Sequence, residues 1–186
     1  FLDRTRGEVH IGEVIELVLD GFEQVIKEGP LAREPGVKMM VTLVDTKLHE
    51  DAIHRGPAQV LPAVRAAIKG AMLDAGAVIY EPIQILQIEV PVDYMGEISK
   101  LVQNKRGQLL EMNQEAEHIT VKVKMPVAEM FGLSNDLRSA TGGRGVQFLV
   151  DQKFERLPQE LQDKVIRIIR ERKGLKIDED LEMQKE

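Results

Sequence analysis

Pro91-Val92-Asp93-Tyr94-Met95-Gly96 and Pro126-Val127-Ala128-Glu129-Met130-Phe131-Gly132 are two versions of one phrase, and their echo decides the fold of half the chain. Each follows a run that alternates apolar and polar residues, Ile83 to Val90 and then Ile119 to Met125, the period of a half-buried strand. Each precedes a short helical pattern, Gly96 to Lys105 and then Leu133 to Ala140. Each helix ends in glycine, at Gly107 and at Gly142-Gly143, and gives way to another strand, Gln108 to Met112 and then Gly145 to Val150. Two tandem βαβ halves predict βαββαβ, the ferredoxin-like split βαβ, over residues 82–157.

Upstream, residues 1–81 read as a separate βα domain. Ile11, Val14, Ile15, Val18, Phe22, Val25 and Ile26 repeat with helical period, predicting a helix from Ile11 to Glu28. Gly29-Pro30 ends it, glycine suiting a left-handed cap and proline refusing the next turn. Val37 to Val44 is nearly all apolar and predicts a buried strand in a parallel or central position. Pro57 opens a second helix to Ala75, with Val60, Leu61, Val64, Ile68, Ala71 and Met72 as its stripe, Arg65 and Lys69 opposite, and Gly76 as its cap. Ala77 to Glu81 reads as a short strand, with the domain boundary at Glu81-Pro82. A last helix, Pro158 to Lys173, carries Leu161, Val165, Ile168 and Ile169 on one face. Lys164, Arg167, Arg170, Arg172 and Lys173 read as its basic, solvated side, with a contact to RNA as the alternative. That stripe needs a surface, and the first domain is the candidate. Ile177 to Glu186 is an acidic tail with five acids and one base.

Composition bounds the rest. With 186 residues and 43% hydrophobic, the chain can bury a core; with 4% aromatic and no Trp, that core is aliphatic. The absence of Cys excludes disulfide and thiol chemistry and fits a reducing, cytoplasmic setting. No apolar run approaches the roughly 18 residues of a membrane-spanning helix. A formal charge of -6 argues against broad neutralisation of nucleic-acid phosphates, so any such contact is local. Phe1, not Met, opens the chain, and a fragment of a longer protein is expected.

The chemistry gathers at the tip between the predicted strand and the second helix, residues 48–57. There His49-Glu50-Asp51-Ala52-Ile53-His54-Arg55-Gly56-Pro57 collects two imidazoles, two carboxylates and a guanidinium. Loops held between a strand and a helix commonly carry function, because the scaffold aims them. The residues leave several readings open. As a metal site the spacing is poor: on a helix, five steps of roughly 100° would set the two imidazoles about 140° apart. As an acid–base pair, His54 titrates in the right range and Asp51 could orient it, but no nucleophile accompanies them. A solvated loop without chemistry is the plain alternative. Elsewhere, Thr141-Gly142-Gly143-Arg144-Gly145 looks like a phosphate cradle. It follows a helix, however, where a P-loop precedes one, so a cap and turn is the better reading. Lys105 and Arg106 form a basic helix end that could meet RNA phosphates.

Leu48-His49-Glu50-Asp51-Ala52-Ile53-His54-Arg55-Gly56 closely resembles the tip of the elongation factor 2 family, the archaeal and eukaryotic ribosomal translocases related to bacterial elongation factor G. Glu81-Pro82-Ile83, Asn104-Lys105-Arg106-Gly107, Phe131-Gly132, Asp136-Leu137-Arg138-Ser139-Ala140-Thr141-Gly142-Gly143 and Arg172-Lys173-Gly174-Leu175 are similar to that family in the same order. The resemblance implies an α+β fragment of two domains. The first is most of domain IV, similar to ribosomal protein S five with a left-handed crossover. The second is the ferredoxin-like domain V, and helix 158–176 packs back towards domain IV.

The resemblance also implies that His54 is converted to diphthamide, a histidine whose aminocarboxypropyl arm ends in a trimethylammonium and an amide. Diphtheria-type toxins ADP-ribosylate that residue in the family. Asp51, His54, Arg55, Gly56 and Gln59 are then the tip's RNA contacts, and Lys105, Arg106 and Arg144 are candidate ribosome contacts. Pro57, where many eukaryotic members have glycine, points to an archaeal member. The implied partners are the ribosome, tRNA, mRNA and the diphthamide-synthesis enzymes, with no membrane and a monomeric fragment. The fragment itself is expected to bind no metal or cofactor and to catalyse nothing. GTP and magnesium belong to the family's GTPase domain upstream, since no P-loop is present here.

Overall fold

The computed structural model describes residues 1–5 and 11–176. The acidic tail, 177–186, lies outside the described residues. The chain packs as two compact units: Phe1–Ile79 together with the segment from Pro158 onward, and Tyr80–Leu157. Both mix helix and strand, so the class is α+β.

In the first unit, β1 (Leu2–Asp3) lies parallel to β2 (Thr42–Leu43), and α1 (Ile11–Lys27) connects them. Helix α2 (Pro57–Asp74) packs on α1, burying Val14, Val18 and Val25 of α1 and Val60 and Ile68 of α2. The two helices close tightly at Gly21, where a Cβ would stand 2.7 Å from Val64 Cγ1. Of the stripe expected on α2, Leu61, Val64 and Met72 are half-buried, whereas Ala71 is exposed.

Three expectations for this unit are corrected. The eight-residue buried strand at Val37 to Val44 shrinks to two residues, with Val37, Met40 and Val44 at 57%, 73% and 70% exposure. Among the described residues only β1 pairs with it, over two positions, and Lys38 at φ 56° breaks the extended run. A strand without a neighbour has no ladder to satisfy its backbone, so apolar sequence alone does not extend it. Gly29 does not adopt the left-handed cap. It is needed because its amide donates to the Glu34 carbonyl, and a Cβ would come 2.7 Å from that oxygen.

The third correction is on α5 (Gln159–Arg172), whose expected apolar face is only half-buried. Its buried line is instead Gln162, Ile166 and Arg170, at i, i+4 and i+8. Gln162 clasps the Ile79 backbone in both directions, accepting its N–H at 2.8 Å and donating to its carbonyl at 3.0 Å. The Arg170 guanidinium, expected in solvent, is 3% exposed and donates to the carbonyls of Leu31 and Lys176.

The second unit has the ferredoxin-like order. Strands β3 (Tyr80–Pro91), β4 (Gln108–Glu115), β5 (His118–Pro126) and β6 (Val146–Arg156) form one antiparallel sheet, arranged β4-β5-β3-β6. Helices α3 (Met95–Asn104) and α4 (Leu133–Ala140) complete it. The short strand read at Ala77 to Glu81 is no separate element: β3 runs unbroken from Tyr80 through the Glu81-Pro82 position where the boundary was placed. Leu86, Ile88 and Val90 of β3 and Ile119, Val121, Val123 and Met125 of β5 pack on Ile98, Val102, Leu133 and Leu137 of the helices. Strands alternate with period two and helices with period 3.6, and here both apolar sets meet in one layer.

Candidate functional site

The tip is an ordered turn. Residues Ala52–Arg55 form a single 3-10 turn, and Asp51 is its N-cap. The Asp51 carboxylate accepts the Ile53 amide at 3.1 Å, and its carbonyl accepts the His54 amide at 3.1 Å. The Asp51 amide in turn donates to His49 Nδ1 at 3.0 Å. A short acidic side chain before a turn stabilises it by satisfying an amide that has no partner within the turn. Gly56 then accepts the amides of Gln59 and Val60, and Pro57 starts α2.

This geometry brings together residues that the spacing separates. The imidazoles of His49 and His54 meet edge to face, ring centres 4.6 Å apart. Both are exposed, as are Asp51 and Gln59, while Gly56 is half-buried. The Asp51 carboxylate is engaged by the Ile53 amide, and among the described residues no hydrogen bond joins it to the His54 ring. No group of three or more His, Asp or Glu among the described residues could hold a metal ion. Arg55 does not project with them. Its side chain is 9% exposed and its Nη1 lies 3.4 Å from the Glu13 carboxylate, on the first turn of α1. Sequence reading missed this partner, because nothing local links positions 13 and 55.

Replacing Asp51 by Ala is expected to cost the turn about 1 kcal/mol of local stability. The check is amide exchange at Ile53, faster by about fivefold on that cost. Asp51→Asn keeps an acceptor and is expected to leave the rate near that of the parent chain.

The basic candidates of the second unit differ among themselves. Lys105 donates to the carbonyls of Glu129 and Phe131 and pairs with Asp136 at 2.9 Å, leaving its side chain 16% exposed. Arg106, in the left-handed region at φ 53°, forks onto Glu81 at 2.6 and 3.2 Å. The hydrogen bonding of that guanidinium to the accepting Glu81 carboxylate holds it above its ordinary pKa. Both cations thus serve the unit's own packing, whereas Arg144 is exposed. The Thr141 to Gly145 stretch is a cap and turn. Thr141 is fully buried, its hydroxyl donating to the Leu137 carbonyl at 2.7 Å and accepting the Gly145 amide at 2.8 Å.

A ferredoxin-like unit joined to an α+β unit with a capped, histidine-bearing tip has matches among known proteins. The family described as Elongation factor G, domain IV, matches residues 1–76, and Elongation factor G C-terminus matches residues 78–180. The chain belongs to the elongation factor G and elongation factor 2 family. It is 54% identical to Elongation factor 2 of Nanoarchaeum equitans over 181 residues, 97% of this chain and 24% of that protein. It is 51% identical to Elongation factor 2 of Methanopyrus kandleri (95% and 14%) and 50% identical to that of Pyrococcus furiosus (94% and 24%). The chain thus spans a quarter or less of the length of these curated relatives. No described helix is long and apolar enough to cross a membrane.

Proposed function

We propose that this chain is the arm by which a ribosomal translocase reaches the decoding site, and that His54 is the residue it presents there. The observation that carries this reading is the tip itself: an exposed imidazole on a turn capped by Asp51, directly before α2. A turn held by its own cap presents one side chain in a defined direction and loses little freedom on binding. Modified to diphthamide, His54 would carry a fixed cation to the codon–anticodon helix during movement of tRNA and mRNA. Asp51, Gly56 and Gln59 shape the same contact. Arg55 is turned towards Glu13, so the tip's positive character rests on the modified His54 and on the amino end of α2.

On this reading GTP hydrolysis, with its magnesium, belongs to the part of the factor outside this chain, and the setting is cytoplasmic. The diphthamide-synthesis enzymes are partners of the tip. An enzyme working through His54 and Asp51 is the weaker reading, because the Asp51 carboxylate is engaged by the turn's own amide.

The test is a His54→Ala variant of the full-length factor in a reconstituted translation assay. Reading-frame slippage is expected to rise severalfold while GTP hydrolysis is retained. Unchanged frame maintenance would sink the proposal. In parallel, the mass of the Leu48 to Arg55 peptide after treatment with archaeal diphthamide-synthesis enzymes is expected to gain an aminocarboxypropyl group on His54. Addition at His49 would move the assignment to that ring.

A further inference from the structure

The first unit holds a cleft of about 520 Å³ whose lining, among the described residues, includes Arg33, Lys69, Arg170, Lys173 and Lys176 and no acidic side chain. In a chain with net charge -6, five cations converging from three separate stretches of sequence are a marked local reversal of sign. Two of them build the wall. Arg170 ties the end of α5 to Leu31, and Lys173 donates to the carbonyls of Ala32 and Arg33 and pairs with Glu34 at 2.7 Å. Arg33 is more open, 56% exposed and 3.7 Å from Glu28. Lys69, on α2, also lines the cleft and has no ion pair among the described residues.

The geometry points to a second RNA contact here, one that takes the sugar–phosphate backbone and not the bases. At about 520 Å³ the cleft has room for more than one phosphate, so its cations match a chain of anions better than one small ion. Among the described residues its lining has no aromatic ring on which a base could stack and no carboxylate to accept a base amino group. Contacts of this kind fix position without reading sequence. RNA is chosen over an acidic peptide because the family works on the ribosome, and in that respect the inference rests on the function proposed above. It is separate from the tip, on different residues.

The experiment is the binding of a fluorescein-labelled RNA hairpin to the whole chain, followed by anisotropy across a salt series. Lys69→Glu is expected to weaken binding about tenfold and to reduce the slope of log affinity against log salt by about one. Lys69→Gln, which keeps length and helix propensity, should give a smaller loss in the same direction. Arg65→Glu alters net charge identically on the same helix but lies off the cleft, and is expected to change affinity less than about twofold. Equal losses for Lys69→Glu and Arg65→Glu, or no loss for Lys69→Glu, would overturn the site. Displacement of the RNA by inorganic phosphate or by polyglutamate at matched charge would overturn the choice of an RNA backbone. Either failure leaves the reading-frame effect of His54→Ala standing, so the two proposals fail separately.

Discussion

Replacing Ile88 by Ala is expected to destabilise the four-stranded unit by about 4 kcal/mol, the upper part of the range for an aliphatic side chain cut back in a closed core. Ile88 is 0% exposed. On β3 it stands between Val121 of β5 and Gln147 of β6, beneath Ile98, Val102, Leu133 and Leu137. The core is aliphatic and its neighbours sit on three strands and two helices, so no single segment can move inward to fill the space. Removing three carbons therefore costs both their transfer energy and the cavity left behind. Ile88→Val, one carbon smaller, is expected to cost about 1 kcal/mol. Urea denaturation, with amide exchange of β3 and β5 as the local readout, checks both. A loss under about 1 kcal/mol for the alanine variant would mean that this layer repacks and is not the closed core described here.

Arg170→Ala is expected to cost about 3 kcal/mol, through the carbonyls it abandons more than through its charge. The guanidinium donates from Nη1 to Leu31 at 2.8 Å and from Nε to Lys176 at 2.9 Å, and Nη2 also reaches Lys176. It is 3% exposed, so water cannot readily replace it at the Leu31 carbonyl. A buried acceptor left without a donor bears its full desolvation cost. Arg170→Lys keeps the charge but has no planar fork to span two carbonyls, and is expected to recover less than half of the loss. Faster amide exchange and proteolysis within residues 29–36 would be the local signature. Equal protection of that loop in both variants would show that α5 is held by its apolar contacts alone.

These two residues mark how far the sequence could be read. Ile88 lies in an alternating run whose partner run, Ile119 to Met125, has the same period, and the repeated phrase between strand and helix announces a duplicated unit. Strand alternation, helical period and punctuation by Gly and Pro are local properties, carried by residues a few positions apart. The ferredoxin-like order and the family membership were therefore legible, as was the place of the tip between a strand and a helix. Arg170 was misread for the opposite reason: a basic residue in a basic stretch looks solvated until its acceptor is known, and the Leu31 carbonyl is 139 positions away.

The sequence by itself determined the periods, the repeat, the cap and turn at Thr141 to Gly145 and the order of elements in the second unit, because each is settled within one turn or one strand. Only the tertiary structure decided which long-range partners those residues meet. Among the described residues it left most of Val37 to Val44 without a neighbouring strand; it also turned Arg55 to Glu13, engaged Arg106 with Glu81, and set the His49 and His54 rings 4.6 Å apart. A side chain's charge is written in its own residue, but whether that charge faces solvent or a carbonyl depends on atoms brought close by the fold. Hydrogen bonds and desolvation act over a few ångströms of space, whatever the separation along the chain.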